Sequence, residues 1–362
     1  MIPLILHAKS LFRTNSIKHQ ALQKWMSSLT LPLLPFLVLP GCTTIQNEAP
    51  PVWAKGAKPQ EILISGAGEG PAWHPKLGLL FSGDGNVQRW GPKQGKLDVF
   101  REKAGTNGLL FDYHGRLLAC EPKQRRVTRL EKDGSITVLS SHYQGSRYNT
   151  PNDITVDEDG IIYFSDPRYG NRSDMEMLDD QGTPIEGVYL IRQDGTVVRV
   201  ITHEVDRPNG VLVSSDQKYL YVADNNNDTV GGAHKLWRFK RKSDGTLNLR
   251  SQQLIFDWKT SRGPDGMVQD ASGRIYVAAG LNTDNLPFET KLPYEGGVFV
   301  FTQNGILLDH LPIPNDEVTN CTFGGEELKT LFITAGGHLW SMKTSIAGDL
   351  PWPKGRSSKT DE

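Results

Sequence analysis

Cysteine is scarce: Cys42, Cys120 and Cys321 are the three in 362 residues. None has a partner at metal-ligand spacing, so no cysteine-based zinc site is expected. Cys120 and Cys321 read as buried small hydrophobes rather than a disulfide framework. Charge of one sign is also lacking. Forty basic residues against 41 acidic ones give a net charge of −1, with no electrostatic footprint for nucleic acid, so a small polar ligand is the expected partner. Long apolar runs are missing as well. Residues 29–39 fall short of the roughly 20 that span a bilayer, but they follow Lys9, Arg13, Lys18 and Lys24 and suit a secretory h-region. That run ends in Leu39-Pro40-Gly41-Cys42, a pattern similar to a bacterial lipobox. The expectation is a signal peptide over 1–41, a polar tether over 42–59 with Cys42 as a lipid-anchor site, and a periplasmic location, free or anchored. An ordinary signal peptide with an incidental Cys42 is the alternative.

Helical stripes are absent too. The 37% hydrophobic share comes in short runs punctuated by 37 glycines, as in an all-β chain with many turns. One of these stretches recurs. Pro151-Asn152-Asp153 precedes ITVDEDGIIYFSD, and the same arrangement returns at Thr106-Asn107-Gly108, Pro208-Asn209-Gly210, Pro264-Asp265-Gly266 and Thr319-Asn320-Cys321. A more divergent copy is Gly68-Glu69-Gly70-Pro71. The polar residue of each copy lies 38, 45, 57, 56 and 55 positions from the next, within reach of the 40 to 50 residues that a propeller blade occupies.

Within the clearest copy, residues 154–157, 161–165, 187–192 and 196–203 read as four antiparallel strands joined by Asp-Gly turns and one long loop. A four-stranded sheet has two faces to bury, and six such sheets packed around an axis bury them while leaving only short edges. The prediction is therefore a six-bladed β-propeller over 60–345, all-β, with a polar tail over 346–362 and a monomer or dimer in solution. A two-sheet sandwich is the rival, but it gives no reason for one polar residue to recur at one phase.

If the strand after each of these residues is the innermost of its blade, Glu69, Asn107, Asn152, Asn209, Asp265 and Asn320 collect at one mouth of the central channel. Loops carrying Glu121, Asp166 to Tyr169, Asp224 to Asn227 and His338 open on the same face. Two carboxylates among carboxamides suit a hard cation with oxygen ligands. Each residue taken singly also fits an Asx-turn that satisfies only local backbone.

Glu69-Gly70-Pro71-Ala72-Trp73, SRYNTPND ending at Asp153, Arg207-Pro208-Asn209-Gly210 and Gly263-Pro264-Asp265-Gly266-Met267 together resemble the gluconolactonase, regucalcin and senescence-marker family of six-bladed propellers, over about residues 60 to 345. The resemblance implies a divalent cation, calcium first with Zn2+ or Mn2+ as alternatives, held by Glu69, Asn209 and Asp265 with Asn152 contributing. It implies a sugar lactone or similar lactone as substrate. The lactone carbonyl would be polarised by the cation, with Asp265 as ligand and candidate general base and Asn152 as the second catalytic residue. The family's substrate-contacting Arg falls here at Thr150, so Arg147, Arg168, Tyr169, Glu121 and Asn107 are the substrate-binding candidates. A phosphotriesterase or paraoxonase-like esterase on the same calcium, and a non-catalytic ligand-binding propeller, remain as alternatives.

Overall fold

The structure is a computed structural model that describes residues 49–91 and 95–353. The segment expected as signal peptide, Cys42 and the last part of the expected polar tail fall outside the described residues. Helix is confined, among the described residues, to the 3-10 turn Pro122–Gln124.

Six four-stranded antiparallel sheets follow one another along the chain. Their innermost strands are Glu69–His74, Leu109–Phe111, Ile154–Val156, Pro208–Val213, Met267–Gln269 and Val318–Gly324, and each touches the next around a closed ring. The expected six-bladed propeller is thus observed. In the third blade Ile154–Val156, Ile162–Asp166, Gly187–Ile191 and Val197–Ile201 pair in the predicted order, with Ile154 opposite Phe164 and Ile162 opposite Ile191. The Asp-Gly turns fall where glycine can take a positive φ, as at Gly160 (φ 78°) and Gly195 (φ 85°).

The ring closes between the two ends of the propeller. Gln60–Ala67, from before the first blade, pairs with Gly337–Lys343 and becomes the outer strand of the sixth sheet. Closure by one early strand locks both ends of the propeller into a single sheet and removes the free edges that a sixth three-stranded blade would expose.

Burial explains the packing. Clusters lie between adjacent blades: Leu118, Cys120 and Val127 of the second blade meet Ile154, Phe164 and Tyr189 of the third. Cys120 and Cys321 are buried and unpaired, as expected. Near the axis the approach is tighter. A Cβ on Gly70 would lie 2.2 Å from the Asn107 carbonyl oxygen, and one on Gly210 would lie 2.1 Å from that of Asp265. Glycine after the polar residue is therefore a packing requirement that lets neighbouring inner strands touch.

Two segments differ from the expected boundaries. Val52 is buried, Trp53 bridges Thr344, and Arg274 donates to the Pro51 carbonyl (3.2 Å), so the propeller body reaches back into the stretch expected as tether. Beyond the sixth blade, Ala271 and Asp349 donate to the Ala347 and Gln269 carbonyls (both 2.9 Å), Leu350 is buried, and the Trp352 ring lies over Gly115 and His74. Residues 345–353 are a strap, not a tail. Asp349, Leu350 and Pro351 join Val156, Val213 and Gln269 in lining a chamber within the channel that reaches up to Asp153 and Asn320.

Candidate functional site

The six polar residues stand at the starts of the innermost strands, so one mouth of the channel receives them all. Adjacent positions are tied through the backbone. The Gly108 amide donates to the Asn152 carbonyl and the Gly266 amide to the Thr319 carbonyl, both at 2.7 Å. Asn209, Asp265 and Asn320 are buried at 3%, 6% and 6% exposure, while Glu69, Asn107 and Asn152 are half-buried.

The carboxylates carry the electrostatics. Burial raises the Glu69 carboxyl above its ordinary value, partly offset by Asn320, whose Nδ2 donates to Glu69 Oε1 at 2.6 Å. Burial and then the Glu69 charge push the Asp265 carboxyl well above the usual range, and Arg262 pulls it back. The Arg262 guanidinium lies 3.9 Å from Asp265 Oδ2, yet it is shared with Glu289 (3.5 Å) and Glu317 (2.8 Å). One arginine among three carboxylates undercompensates the acidic side of the ring.

Asn209 shows the complementary deficit. Its Nδ2 donates to the Tyr169 hydroxyl at 2.9 Å, while its Oδ1 is buried without a hydrogen-bond partner, as is Asn107 Oδ1. Buried oxygens without a donor are costly unless something else satisfies them. Orphaned oxygens beside undercompensated carboxylates fit a divalent cation with oxygen ligands. Among the described residues no cluster of three or more His, Cys, Asp or Glu side chains forms a metal group, so a cation here would depend on the carboxamides of Asn209 and Asn152 as well as on Glu69 and Asp265.

The other predicted residues are placed unequally. Tyr169 enters the site from the 20-residue loop 167–186, and burial, then the Asp265 charge, hold its hydroxyl well above the usual range, so it stays protonated. Arg168 sits at the rim, where its Nε donates to the Asn171 carbonyl (2.7 Å) and its guanidinium pairs with Asp174. Arg147 lies further out in the hairpin of His142–Tyr143 and Ser146–Arg147, exposed and paired with Glu176. Thr150 donates its hydroxyl to the Pro167 carbonyl at 2.5 Å and so anchors the start of the same loop.

Glu121 departs from the expected role. It is fully buried and holds Arg101 (2.5 Å), Arg126 (2.6 Å) and the Thr128 hydroxyl (2.9 Å), which join the first and second blades. Both oxygens are occupied, and the geometry makes Glu121 a strut between blades. His338 pairs with Glu61 at 2.6 Å on the closing sheet.

Several residues at the mouth were not singled out from the sequence. Arg207 and Arg262 stand two and three positions before Asn209 and Asp265, and both are buried among acids: Arg207 with Glu186 (2.9 Å) and Asp228 (2.6 Å), Arg262 as above. An arginine ahead of the Pro in blades four and five was the available signal. Asp153 is the other. It occupies the position that four copies of the repeat fill with glycine after an amide or a carboxylate, accepts from the Val211 amide at 2.9 Å, and is pushed up to about 7 by burial.

Fold and site together define a six-bladed propeller with an acidic, carboxamide-rich ring at one mouth of its channel. The chain belongs to the SMP-30/gluconolactonase/LRE-like family, whose model matches residues 67–337. It is 27% identical over 311 residues to a gluconolactonase of Zymomonas mobilis, covering 84% of this chain and 80% of that one. It is also 27% identical over 277 residues to a pentonolactonase of Haloferax volcanii, covering 75% and 81%. Among solved structures, a gluconolactonase of Xanthomonas campestris superposes with a TM-score of 0.65 at 31% identity, covering 81% of this chain and 91% of its own. The calcium-binding protein regucalcin of Agrobacterium tumefaciens shares the fold at 16% identity, with a TM-score of 0.62 and coverage of 83% and 98%.

Proposed function

We propose that the protein hydrolyses a lactone of the sugar-lactone class at this ring, with a divalent cation, calcium first, held by Glu69, Asn209, Asp265 and Asn152. The observation that carries the reading is the buried, partnerless Asn209 Oδ1 in the same ring as the undercompensated Glu69 and Asp265 carboxylates. Relatives named for gluconolactone and pentonolactone hydrolysis, aligned over most of both chains, supply the reaction class, and the regucalcin likeness agrees with calcium.

When bound, the cation supplies Lewis-acid polarisation of the lactone carbonyl. The chain's own residues do the rest. Asp265 is the carboxylate placed to take a proton from the attacking water. Water adds its oxygen to the carbonyl carbon, the ring C–O bond breaks, and the proton taken by Asp265 passes to the departing ring oxygen, leaving a hydroxy acid. Asn152 and Asn107, on neighbouring strands, offer carboxamides to substrate hydroxyls or to ordered water. Tyr169 walls the mouth on the side of the third and fourth blades.

The test is a rate comparison on five- and six-membered aldonolactones and a phosphotriester, with wild type and Asp265→Asn. The expected outcome is a clear preference for a lactone, with kcat/KM in the variant down by about 10³-fold. Faster turnover of the phosphotriester, or a fully active Asp265→Asn protein, would overturn the reading.

A further inference from the structure

Asn209 can serve a cation only with its oxygen, and the orientation of a carboxamide is not fixed by its shape. Turned over, it would present an NH2 group to the position a cation needs. Something must therefore set its direction. The hydrogen-bond chain running away from Asn209 does so. Its Nδ2 meets the Tyr169 hydroxyl at 2.9 Å, and that hydroxyl meets the backbone carbonyl of Asn225 at 3.2 Å. A carbonyl can only accept, so the Tyr169 O–H donates to Asn225. The phenol oxygen is then left as an acceptor, and the group facing it on Asn209 must be the donor. The polarity of the whole chain is dictated from its far end. Oδ1 is turned the other way, where it lies buried and without a partner.

The tyrosine itself is held. The Arg207 guanidinium carbon lies 5.1 Å over its ring, and Arg207, which has no exposed surface, is fixed by Glu186 Oε2 (2.9 Å) and Asp228 Oδ1 (2.6 Å). Arg172 reaches the same two acids, at 3.3 and 3.2 Å. The Arg168 amide donates to Glu186 at 2.7 Å, so the loop that carries Tyr169 is pinned at both ends of the tyrosine's side chain and at its backbone.

We propose that Tyr169 is a positioning residue, whose hydroxyl, tied to the Asn225 carbonyl, fixes the Asn209 carboxamide with Oδ1 presented to the cation. The inference rests on the cation reading given above. It predicts an effect on cation affinity that depends on residue 209 being an amide. An aspartate there offers an oxygen in either orientation and has no wrong direction to prevent.

The test is calorimetric titration of calcium into chelator-stripped protein for wild type, Tyr169→Phe, Asn209→Asp and the double variant. Tyr169→Phe removes one oxygen and leaves the ring under Arg207. We expect it to weaken calcium binding at least about tenfold, the usual loss when a partner behind a metal ligand is removed. In the Asn209→Asp background the same change is expected to cost under about threefold, the difference being the coupling between the two residues. Unchanged calcium affinity in Tyr169→Phe would overturn the proposal. So would an equal loss in both backgrounds, which is what general loosening of the loop would give. Wild-type protein that binds no calcium would instead overturn the cation reading, an outcome distinct from tight wild-type binding with an indifferent Tyr169→Phe.

Discussion

Burying a carboxylate is expensive unless a positive charge or several donors meet it, and the mouth of this channel does so repeatedly with incomplete compensation. At Asp265 and Glu69 the deficit suits a cation. At Asp166 no such role is apparent: one oxygen accepts from the Asn149 amide at 2.8 Å, the other is buried without a partner, and burial raises the carboxyl to about 8. A folded carboxyl that titrates above its unfolded value of 3.8 binds a proton that the unfolded chain has released. Its contribution to stability is therefore present at low pH and declines as pH rises from about 4 toward 8. Asp166→Asn removes that dependence. The variant's melting temperature, relative to wild type, is expected to rise between pH 5 and pH 8, and thermal unfolding of both proteins at the two pH values checks it; a constant difference would contradict the assignment. The residue scale is also where the sequence was least complete. Glu69, Asn209 and Asp265 could be read because repetition fixed their phase, and one phase means one end of the channel. The pairings of Arg207 and Arg262 and the Tyr169 relay were not legible, even though an arginine ahead of the Pro was visible, because their partners lie on distant loops and strand ends, 21 to 56 positions away in the chain. Glu121 misled for a related reason: its loop position was correct, but Arg101 and Arg126 occupy it from sides that the repeat does not encode.

At the scale of elements, strand order and the Asp-Gly turns were legible because alternation and turn chemistry are local. The third blade follows its predicted strands to within a few residues. The ends were not. The stretch over 345–353 contains Gly348, Pro351 and Pro353 and no periodic pattern, so it reads as tail, yet it is held by backbone bonds to Leu328, Ala271 and Gln269 and by burial of Leu350. Tertiary contact, not local propensity, orders it. Removing residues 345–362 would uncover the Phe323 and His74 surfaces on which Gly348 and Trp352 lie. The loss of one buried Leu and one packed Trp is worth about 3 to 6 kcal/mol, enough to lower the melting temperature by roughly 6 °C or more in a domain of this size. Unfolding of the truncated protein within about 1 °C of wild type would show that the strap is not a structural part of the propeller.

At the scale of the molecule, six imperfect copies of one sheet make something none makes alone. Each copy delivers one oxygen-bearing side chain to the same end of its innermost strand, and pairing of Gln60–Ala67 with Gly337–Lys343 closes the ring. Divergence among copies then decides chemistry: amides in four, a carboxylate in the first and fifth, and an extra carboxylate at Asp153 where other copies accommodate a close neighbour with glycine. A scaffold of this kind can keep its fold while its mouth changes, because the core lies between blades and the polar ring lies at strand ends. It follows that removing a cation should silence the enzyme without unfolding it. The direct measurement is the rate of aldonolactone hydrolysis by protein stripped with chelator and then titrated with calcium, followed alongside circular dichroism. Activity is expected to fall below about a hundredth of its starting value, while the β-sheet signal persists and calcium restores the rate. Equal rates with and without chelator would contradict the role given to the cation.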